Sequence, residues 1–383
     1  MAILAFLLLI VTAYYACAII FLWRGLDRLS PAGAPAGLTF SIVIAARNEE
    51  ENIGVCLESI FSQRLPGERY EVIVVDDRST DATAAIVADF SRRHTNLRCI
   101  TVAETPPGIA PKKHAVALGI AEAKTDVVVF TDADCLVQST WLETIDRHFD
   151  ATTGLVQGIT VYAPLVGMSP LFFGLQAVDF LSHGIVAAAA IGAGMPLNSN
   201  ANNFAFRKLA FADAGGYGAA SQRVVSGDDD LLLQRIAACP QWQVRFMAEA
   251  AGAVATKPTP TVKGVFEQRK RWGSKTVHYT PRQVIFLSGI FLFYCGMAAT
   301  LVAGIAKPSW FLAFAGMLAV KISGEFALMI PGTALFNQKS LRGYILPASF
   351  LQLPMVIAAV VLGVFGRFSW KGERFKRAIK AVL

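Results

Sequence analysis

The sequence predicts an α/β domain with a mostly parallel sheet, framed by N- and C-terminal transmembrane helices. Three observations carry that expectation. Strand-like β-branched runs alternate with helically spaced apolar residues from Phe40 to Phe149, and such alternation builds a mostly parallel sheet with right-handed crossovers. Hydrophobic residues make up 54% of the 383 and charged residues only 16%, an excess that a soluble domain does not need and membrane helices do. The run Val127–Thr131 leads into Asp132-Ala133-Asp134. On a strand the i, i+2 spacing puts both carboxylates on one face, at the end where open α/β sheets bind ligands.

The elements follow in order. Residues 2–23 are apolar almost without break and are followed by Arg24 and Arg28, a spanning helix with a cytoplasmic basic flank. A cleaved signal peptide is the alternative reading. It is the weaker one, because no positive charge precedes a run that is long for a signal segment. We divide the chain into a transmembrane helix (1–24), a linker (25–38) rich in Pro, Ala and Gly, and an α/β domain (39–256). A basic interfacial segment (257–283), a C-terminal membrane region of about three segments (284–370) and a basic tail (371–383) follow.

Within the domain, strands are expected at Phe40–Ala45, Glu71–Val75, Arg98–Val102 and Val127–Thr131. Helices are expected at Asn48–Gln63, after Ser79 or Thr80, at Lys113–Ala123, and after Thr140, where Thr140 and Glu143 spell a capping box. Residues 164–196 are long enough for a span but carry Asp179 and His183. One crossing there would separate the later acidic cluster from Asp132, so the segment reads as helices on the membrane surface or lining a cleft. Spans are placed near 284–306, 309–330 and 343–366, the middle one with Lys321 and Glu325 at i, i+4. One N-terminal span, a cytoplasmic block and three later spans leave the basic tail outside, against the positive-inside rule.

Composition and motifs also exclude classes. No G-x-G-x-x-G follows the first strand and no G-x-x-x-x-G-K-[ST] occurs anywhere, which excludes the common dinucleotide and P-loop folds. The net charge of +7 fits anionic lipid headgroups better than nucleic acid. The six scattered Cys form no C-x-x-C pair, so no zinc site or disulfide framework is indicated. Two close carboxylates without a basic neighbour in sequence repel unless a cation lies between them, and Mg²⁺ binds through one or two carboxylates plus substrate phosphates. Asp228-Asp229-Asp230 after Gly227 exceeds what a helix start requires. Asp230 is expected to face another side of that helix and to tolerate an amide.

Taken together, Ser41-Ile-Val-Ile-Ala-Ala-Arg-Asn-Glu-Glu, Val74-Val-Asp-Asp-Arg-Ser-Thr-Asp, Lys112-Lys113-His-Ala-Val-Ala-Leu, Thr131-Asp-Ala-Asp, Gly227-Asp-Asp-Asp and Gln268-Arg-Lys-Arg-Trp resemble, in that order, a membrane-bound family 2 glycosyltransferase with a GT-A fold. The resemblance covers about residues 39–276. It is closest to the ceramide-glucosyltransferase-like and carotenoid-glucosyltransferase-like group. It implies an inverting transfer of one sugar from a nucleotide sugar, UDP-linked, to a lipid or other membrane acceptor hydroxyl. Processive polysaccharide synthesis is the alternative, and a non-catalytic membrane scaffold is a third reading that the intact motif residues oppose.

By the same resemblance, Asp229 is the catalytic base, and Glu49, Asp76, Asp77, Lys113, Asp132 and Arg271 bind the donor. Gln268 and Trp272 meet the acceptor, and Asp132 and Asp134 hold Mg²⁺ or Mn²⁺. A plain turn-forming Asp76, a helix-start Glu49 and an exchange of roles between Lys112 and Lys113 stay open. Arg47 stands where the family usually has Tyr. The implied setting is the cytoplasmic (inner) membrane with a cytoplasmic catalytic domain. A nucleotide-sugar donor and a lipid or polysaccharide acceptor are the partners, and no nucleic acid or protein partner is implied.

Overall fold

A computed structural model describes residues 2–218, 227–370 and 373–376. The chain forms two compact units, one of residues 1–28, 167–194 and 259–381, the other of 29–166, 195–258 and 382–383.

In chain order the elements begin with α1 (Ala2–Leu26), β1 (Phe40–Ala46), α2 (Ile53–Phe61), β2 (Tyr70–Asp76), α3 (Thr83–Arg93), β3 (Leu97–Thr101), α4 (Pro111–Glu122) and β4 (Val127–Phe130). They continue through β5 (Leu136–Val137), α5 (Trp141–Asp146), β6 (Thr153–Gly158), β7 (Thr160–Tyr162), α6 (Pro170–Gly192), β8 (Phe204–Arg207), α7 (Lys208–Asp213), α8 (Asp228–Ala237), β9 (Gln243–Met247) and β10 (Val254–Thr256). The last are α9 (Val262–Ser274), α10 (Pro281–Ala306), α11 (Trp310–Leu335), α12 (Ile345–Phe365), β11 (Arg367–Trp370) and β12 (Glu373–Lys376).

The α/β unit is built on a seven-stranded sheet in the order β3-β2-β1-β4-β8-β6-β9. The pairings β3–β2, β2–β1, β1–β4 and β6–β9 are parallel, whereas β8 runs antiparallel to both neighbours. Alternation along the central strands feeds two cores, one on each face of the sheet. Ile42, Ile44, Val72, Val74, Val127 and Val129 point to one, and Val43, Ile73, Val75, Val128 and Phe130 to the other. Gly119 on α4 lets that helix lie directly on the sheet, since a Cβ there would come within 2.4 Å of Val43. A smaller sheet, β5-β10-β7, flanks the main one.

Register fixes which residues meet at one edge. Ala46 pairs with Asp76, and Phe130 pairs with Val43 on one side and Phe204 on the other. The carboxyl ends of β1, β2 and β4 therefore share an edge with the amino end of reversed β8. Asp76, Asp132 and the residues just before Phe204 come together there although they are far apart in sequence.

Two helical expectations differ in the structure. The segment Asn48–Asn52, expected to open α2, is a turn: Asn48 has φ of 54°, and Thr80 N donates to Asn48 Oδ1 at 2.8 Å. Glu50 N donates to Asp81 Oδ2 at 3.1 Å and Ala82 N to Glu50 Oε2 at 2.8 Å. Cross-links between the loops after β1 and β2 thus take the groups that a longer helix would use. Thr140 precedes α5 without capping it; its hydroxyl donates to Ala251 O at 2.8 Å instead.

In the helical unit, α1 packs on α10, α11 and α6. Tyr15 stacks on Phe293 with ring centroids 4.1 Å apart. Lys321 is fully buried, pairs with Glu325 as the spacing predicts, and also donates to Ser349 O at 2.8 Å. Among the described residues five helices are long and apolar enough to cross a membrane: Ile3–Leu26, Pro170–Gly192, Pro281–Ala306, Trp310–Leu335 and Lys339–Phe365.

Pro170–Gly192 differs from the other four. It is one continuous helix, not several. Of its most apolar stretch 56% is buried, against 11–22% for the others. The chain before and after it joins one sheet through β4 and β8, so it does not make a single crossing. It packs within the helical unit although it falls inside the expected 39–256 stretch. The basic tail from 377 onward, with residues 371 and 372, lies outside the described residues.

Candidate active site

The site grows from the carboxyl edge of β2-β1-β4. At the end of β2, Asp76 and Asp77 are both buried. Asp76 Oδ1 accepts from Ser79 N at 3.2 Å, closing the turn, and Asp77 Oδ1 accepts from Arg78 Nε at 2.8 Å. The turn-forming reading of Asp76 therefore has a hydrogen bond behind it. In the loop after β1, Glu49 N donates to Thr83 Oγ1 at 2.8 Å and Glu49 Oε2 accepts from Asn52 Nδ2 at 2.8 Å.

After β4, Asp132 meets Lys112 with Nζ to Oδ1 at 2.7 Å. Asp134 Oδ2 accepts from Thr256 Oγ1 at 3.3 Å. Burial raises the Asp134 carboxyl above its usual range, and the nearby Asp132 and Glu49 charges push it further, with Lys112 opposing them. The Asp132 and Glu49 charges thus both act on Asp134. Lys113 is fully buried at 2% exposure on α4, and Lys112 is the lysine that reaches Asp132. Sequence could not separate the two, since a one-residue step on a helix turns a side chain by about 100°.

The second acidic cluster opens α8. Gly227, with φ of 84°, turns the chain into the helix. Asp229 is 8% exposed; its Oδ2 accepts from Ala201 N at 2.8 Å and its Oδ1 from Asp230 N at 2.8 Å. Asp230 is 0% exposed and accepts from Ser199 N at 2.6 Å. Asp230 is thus a buried anchor for the Ser199 amide, a bond that the oxygen of an amide side chain would also accept. Ser226 lies outside the described residues.

The sequence suggests a short strand from Asn202 to Arg207, but Ala201–Asn203 is a helical turn and the strand begins at Phe204. The segment Ser199–Asn203 links the two clusters. Its amides hold Asp229 and Asp230, and Asn202 Nδ2 donates to Cys135 Sγ at 3.2 Å, next to Asp134. Asn203 Oδ1 accepts from Trp141 Nε1 at 3.0 Å, and its Nδ2 donates to Ile159 O and Gly252 O, each at 2.8 Å. The available signal is the polar run Asn198-Ser199-Asn200-Ala201-Asn202-Asn203 directly before an apolar strand.

Gln268, Arg271 and Trp272 lie on α9, in the helical unit, each half-buried. Thr261 caps this helix, its Oγ1 accepting from Gly264 N at 3.1 Å. The Trp272 ring packs against Arg269, His183 and Phe180. The carboxylate clusters belong to the α/β unit. Among the described residues, no three His, Cys, Asp or Glu side chains form a metal-ligand group.

Residues 41–167 match the family model described as glycosyl transferase family 2, and residues 127–362 match glycosyl transferase family group 2, well over half the chain. The chain is 36% identical over 103 residues to glycosyltransferase AglE of Haloferax volcanii, covering 27% of this chain and 33% of that one. It is 26% identical over 241 residues to beta-monoglucosyldiacylglycerol synthase of Synechocystis, covering 60% and 46%. To 4,4'-diaponeurosporenoate glycosyltransferase of Staphylococcus aureus it is 37% identical over 94 residues, covering 24% and 23%. The chain thus spans less than half the length of these curated relatives. Among solved structures, a mannosyltransferase of Pyrobaculum calidifontis, in complex with GDP-Man and Mn²⁺, superposes with a TM-score of 0.58. It is 21% identical and covers 94% of this chain and 98% of that one, a likeness that shows the shared fold.

Proposed function

The chain belongs to glycosyl transferase family group 2, and from that premise we propose that it moves a single sugar from a nucleotide sugar, UDP-linked, to the hydroxyl of a lipid acceptor, with inversion. The observation that carries the reading is the carboxyl edge of the sheet, where Asp134 follows β4 and is held above its usual range by burial and then by the Asp132 and Glu49 charges. A carboxylate pair at the carboxyl edge of the sheet is well matched to a cation brought by a diphosphate. Beta-monoglucosyldiacylglycerol and 4,4'-diaponeurosporenoate in the names of two relatives favour a lipid acceptor.

Each group has a stated task. Asp132 and Asp134 fit a hard divalent cation, Mg²⁺ or Mn²⁺, since two carboxylates plus phosphate oxygens satisfy such an ion without a third protein ligand. When bound, the ion stabilises the charge that grows on the departing diphosphate. Asp76, Asp77 and Glu49 line the nucleoside side of the edge, and Lys113 and Arg271 are assigned to the diphosphate. Lys112, already on Asp132, joins them as a third cationic candidate. Asp229 is the base that takes the acceptor hydroxyl proton. Its two oxygens each accept one amide hydrogen, which fixes the carboxylate and leaves a lone pair on each for the hydroxyl. Gln268 and Trp272 hold the acceptor.

Four spans and a cytoplasmic α/β unit complete the proposal, supported by Arg24 and Arg28 after the first apolar run. A cysteine introduced near Gln63 should resist an impermeant reagent in intact cells. The decisive experiment incubates purified protein with a panel of nucleotide sugars and a total lipid extract. One sugar on a lipid supports the proposal, a polymer assigns processive synthesis, and no turnover with any donor removes both.

A further inference from the structure

Asp179 and His183 are the two titratable residues of the largely apolar helix α6, and both face a motif that lies about 90 residues later. Arg269 Nε donates to Asp179 Oδ2 at 2.7 Å, and the two side chains form a buried ion pair. The same guanidinium has two further contacts. Its carbon lies 4.1 Å from the centroid of the Trp272 ring, and its Nη1 donates to Gln268 Oε1 at 2.8 Å. His183 Nδ1 is 2.8 Å from Asp179 O and sets its ring edge against Trp272 at 5.1 Å.

We propose that Asp179 and Arg269 are positioning residues for the acceptor: Asp179 fixes the guanidinium, and the guanidinium sets the plane of Trp272 and the turn of the Gln268 carboxamide. This rests on the acceptor-binding assignment of Gln268 and Trp272. The physical case is that a carboxylate locks a planar guanidinium through its hydrogen-bond fork, while the guanidinium face stacks on an indole. A pair serving stability alone does not need the guanidinium to hold two side chains of one motif at once. Removing one partner of a buried pair leaves a lone charge, so such a pair is an expensive way merely to join two helices.

The test uses the full chain in detergent micelles, with the total lipid extract titrated as the acceptor probe. Asp179→Asn and Arg269→Met should raise the apparent acceptor KM by roughly twofold to thirtyfold, the range a cation–π contact covers, with donor KM unchanged. Arg269→Lys keeps the charge but not the fork and should fall between them and the native protein. Trp272→Phe serves as the subtraction that isolates Trp272 fluorescence, and Asp179→Asn should shift that emission.

A loss of kcat and thermal stability with acceptor KM unchanged overturns the proposal, as does an equal rise in donor KM. Should Asp179→Asn not fold, Asp179→Leu combined with Arg269→Met buries no lone charge and carries the same readouts. If the native protein transfers no sugar, the proposed function fails separately and fluorescence still decides the pair. Unchanged Trp272 emission in Asp179→Asn then overturns it, and a shifted emission supports it.

Discussion

Asp229→Asn tests the base and its surroundings together. The carboxylate accepts two backbone amides, Ala201 N and Asp230 N, each at 2.8 Å on a different oxygen. A carboxamide has one acceptor oxygen, so whichever way it turns, its NH₂ faces an amide donor. One hydrogen bond is lost and a buried donor is left unpaired, a cost of about 1–3 kcal/mol in stability. Chemistry is affected separately, because loss of general-base assistance lowers turnover by roughly 10²–10⁴-fold. The two effects separate by measuring thermal unfolding, nucleoside diphosphate binding and sugar transfer on the same preparation. The expected result is a folded protein of modestly lower stability that binds UDP like the native enzyme and turns over at least about 100-fold more slowly. Near-native turnover refutes the assignment of the base. Lost UDP binding in a folded variant refutes it differently, by moving Asp229 to the donor.

Three further predictions follow from the same geometry. Asp134→Ala and chelation should each abolish transfer, with Mg²⁺ or Mn²⁺ restoring only the chelated native enzyme; full activity in EDTA refutes the metal assignment. Asp230→Ala should lower stability by about 2 kcal/mol, because it strips a charged acceptor from the buried Ser199 amide, and an unchanged unfolding midpoint would show that the anchor is dispensable. Burial alone would raise Asp150, but hydrogen bonds from Thr152 and Thr153 and the Arg245 charge outweigh it and bring the carboxyl down to about 2. A fall from the ordinary 3.8 corresponds to about 2 kcal/mol unscreened, and with the side chain 45% exposed solvent leaves about 1 kcal/mol or less. As a depressed carboxyl, it contributes fully above pH 4 and loses the contribution as pH falls toward 2. The stability gap between native and Asp150→Asn should therefore narrow between about pH 4 and pH 2, and a gap that stays constant counts against the reading.

What was legible in the sequence was local. Val127-Val128-Val129-Phe130 reads as a strand because four β-branched or aromatic residues in a row fit a strand buried on both faces. Asp132 and Asp134 stand out because the i, i+2 spacing at a strand end puts two carboxylates on one face. The pairing of Lys321 with Glu325 was readable because helix geometry alone puts i and i+4 together. Long-range partners were hidden. Thr140 has the spelling of a cap, but the carbonyl of Ala251, over 100 residues away, takes its hydroxyl. Asn48–Asn52 has helical spacing, but the next loop claims its polar groups. Asp179 looked like an isolated charge in an apolar segment because its partner, Arg269, comes 90 residues later.

The reversal of β8 explains why the two acidic clusters depend on one another. With β8 antiparallel to β4, Phe204 pairs with Phe130, and the residues entering β8 arrive at the edge where the β4 carboxylates leave. A parallel β8 would place Ser199–Asn203 at the opposite edge, leaving Asp229 without the Ala201 amide, Asp230 without the Ser199 amide and Cys135 without Asn202. A parallel neighbour needs a crossover that returns to the starting edge, whereas an antiparallel one may begin at the edge where the chain stands. The excursion through α6 between β7 and β8 thus returns the chain in the one direction that brings Asp229 and Asp230 onto a common frame with Asp132 and Asp134. The side chains of Asn202 and Asn203 hold that frame from both sides, which makes this segment the place where a change distant from either carboxylate cluster would disturb both.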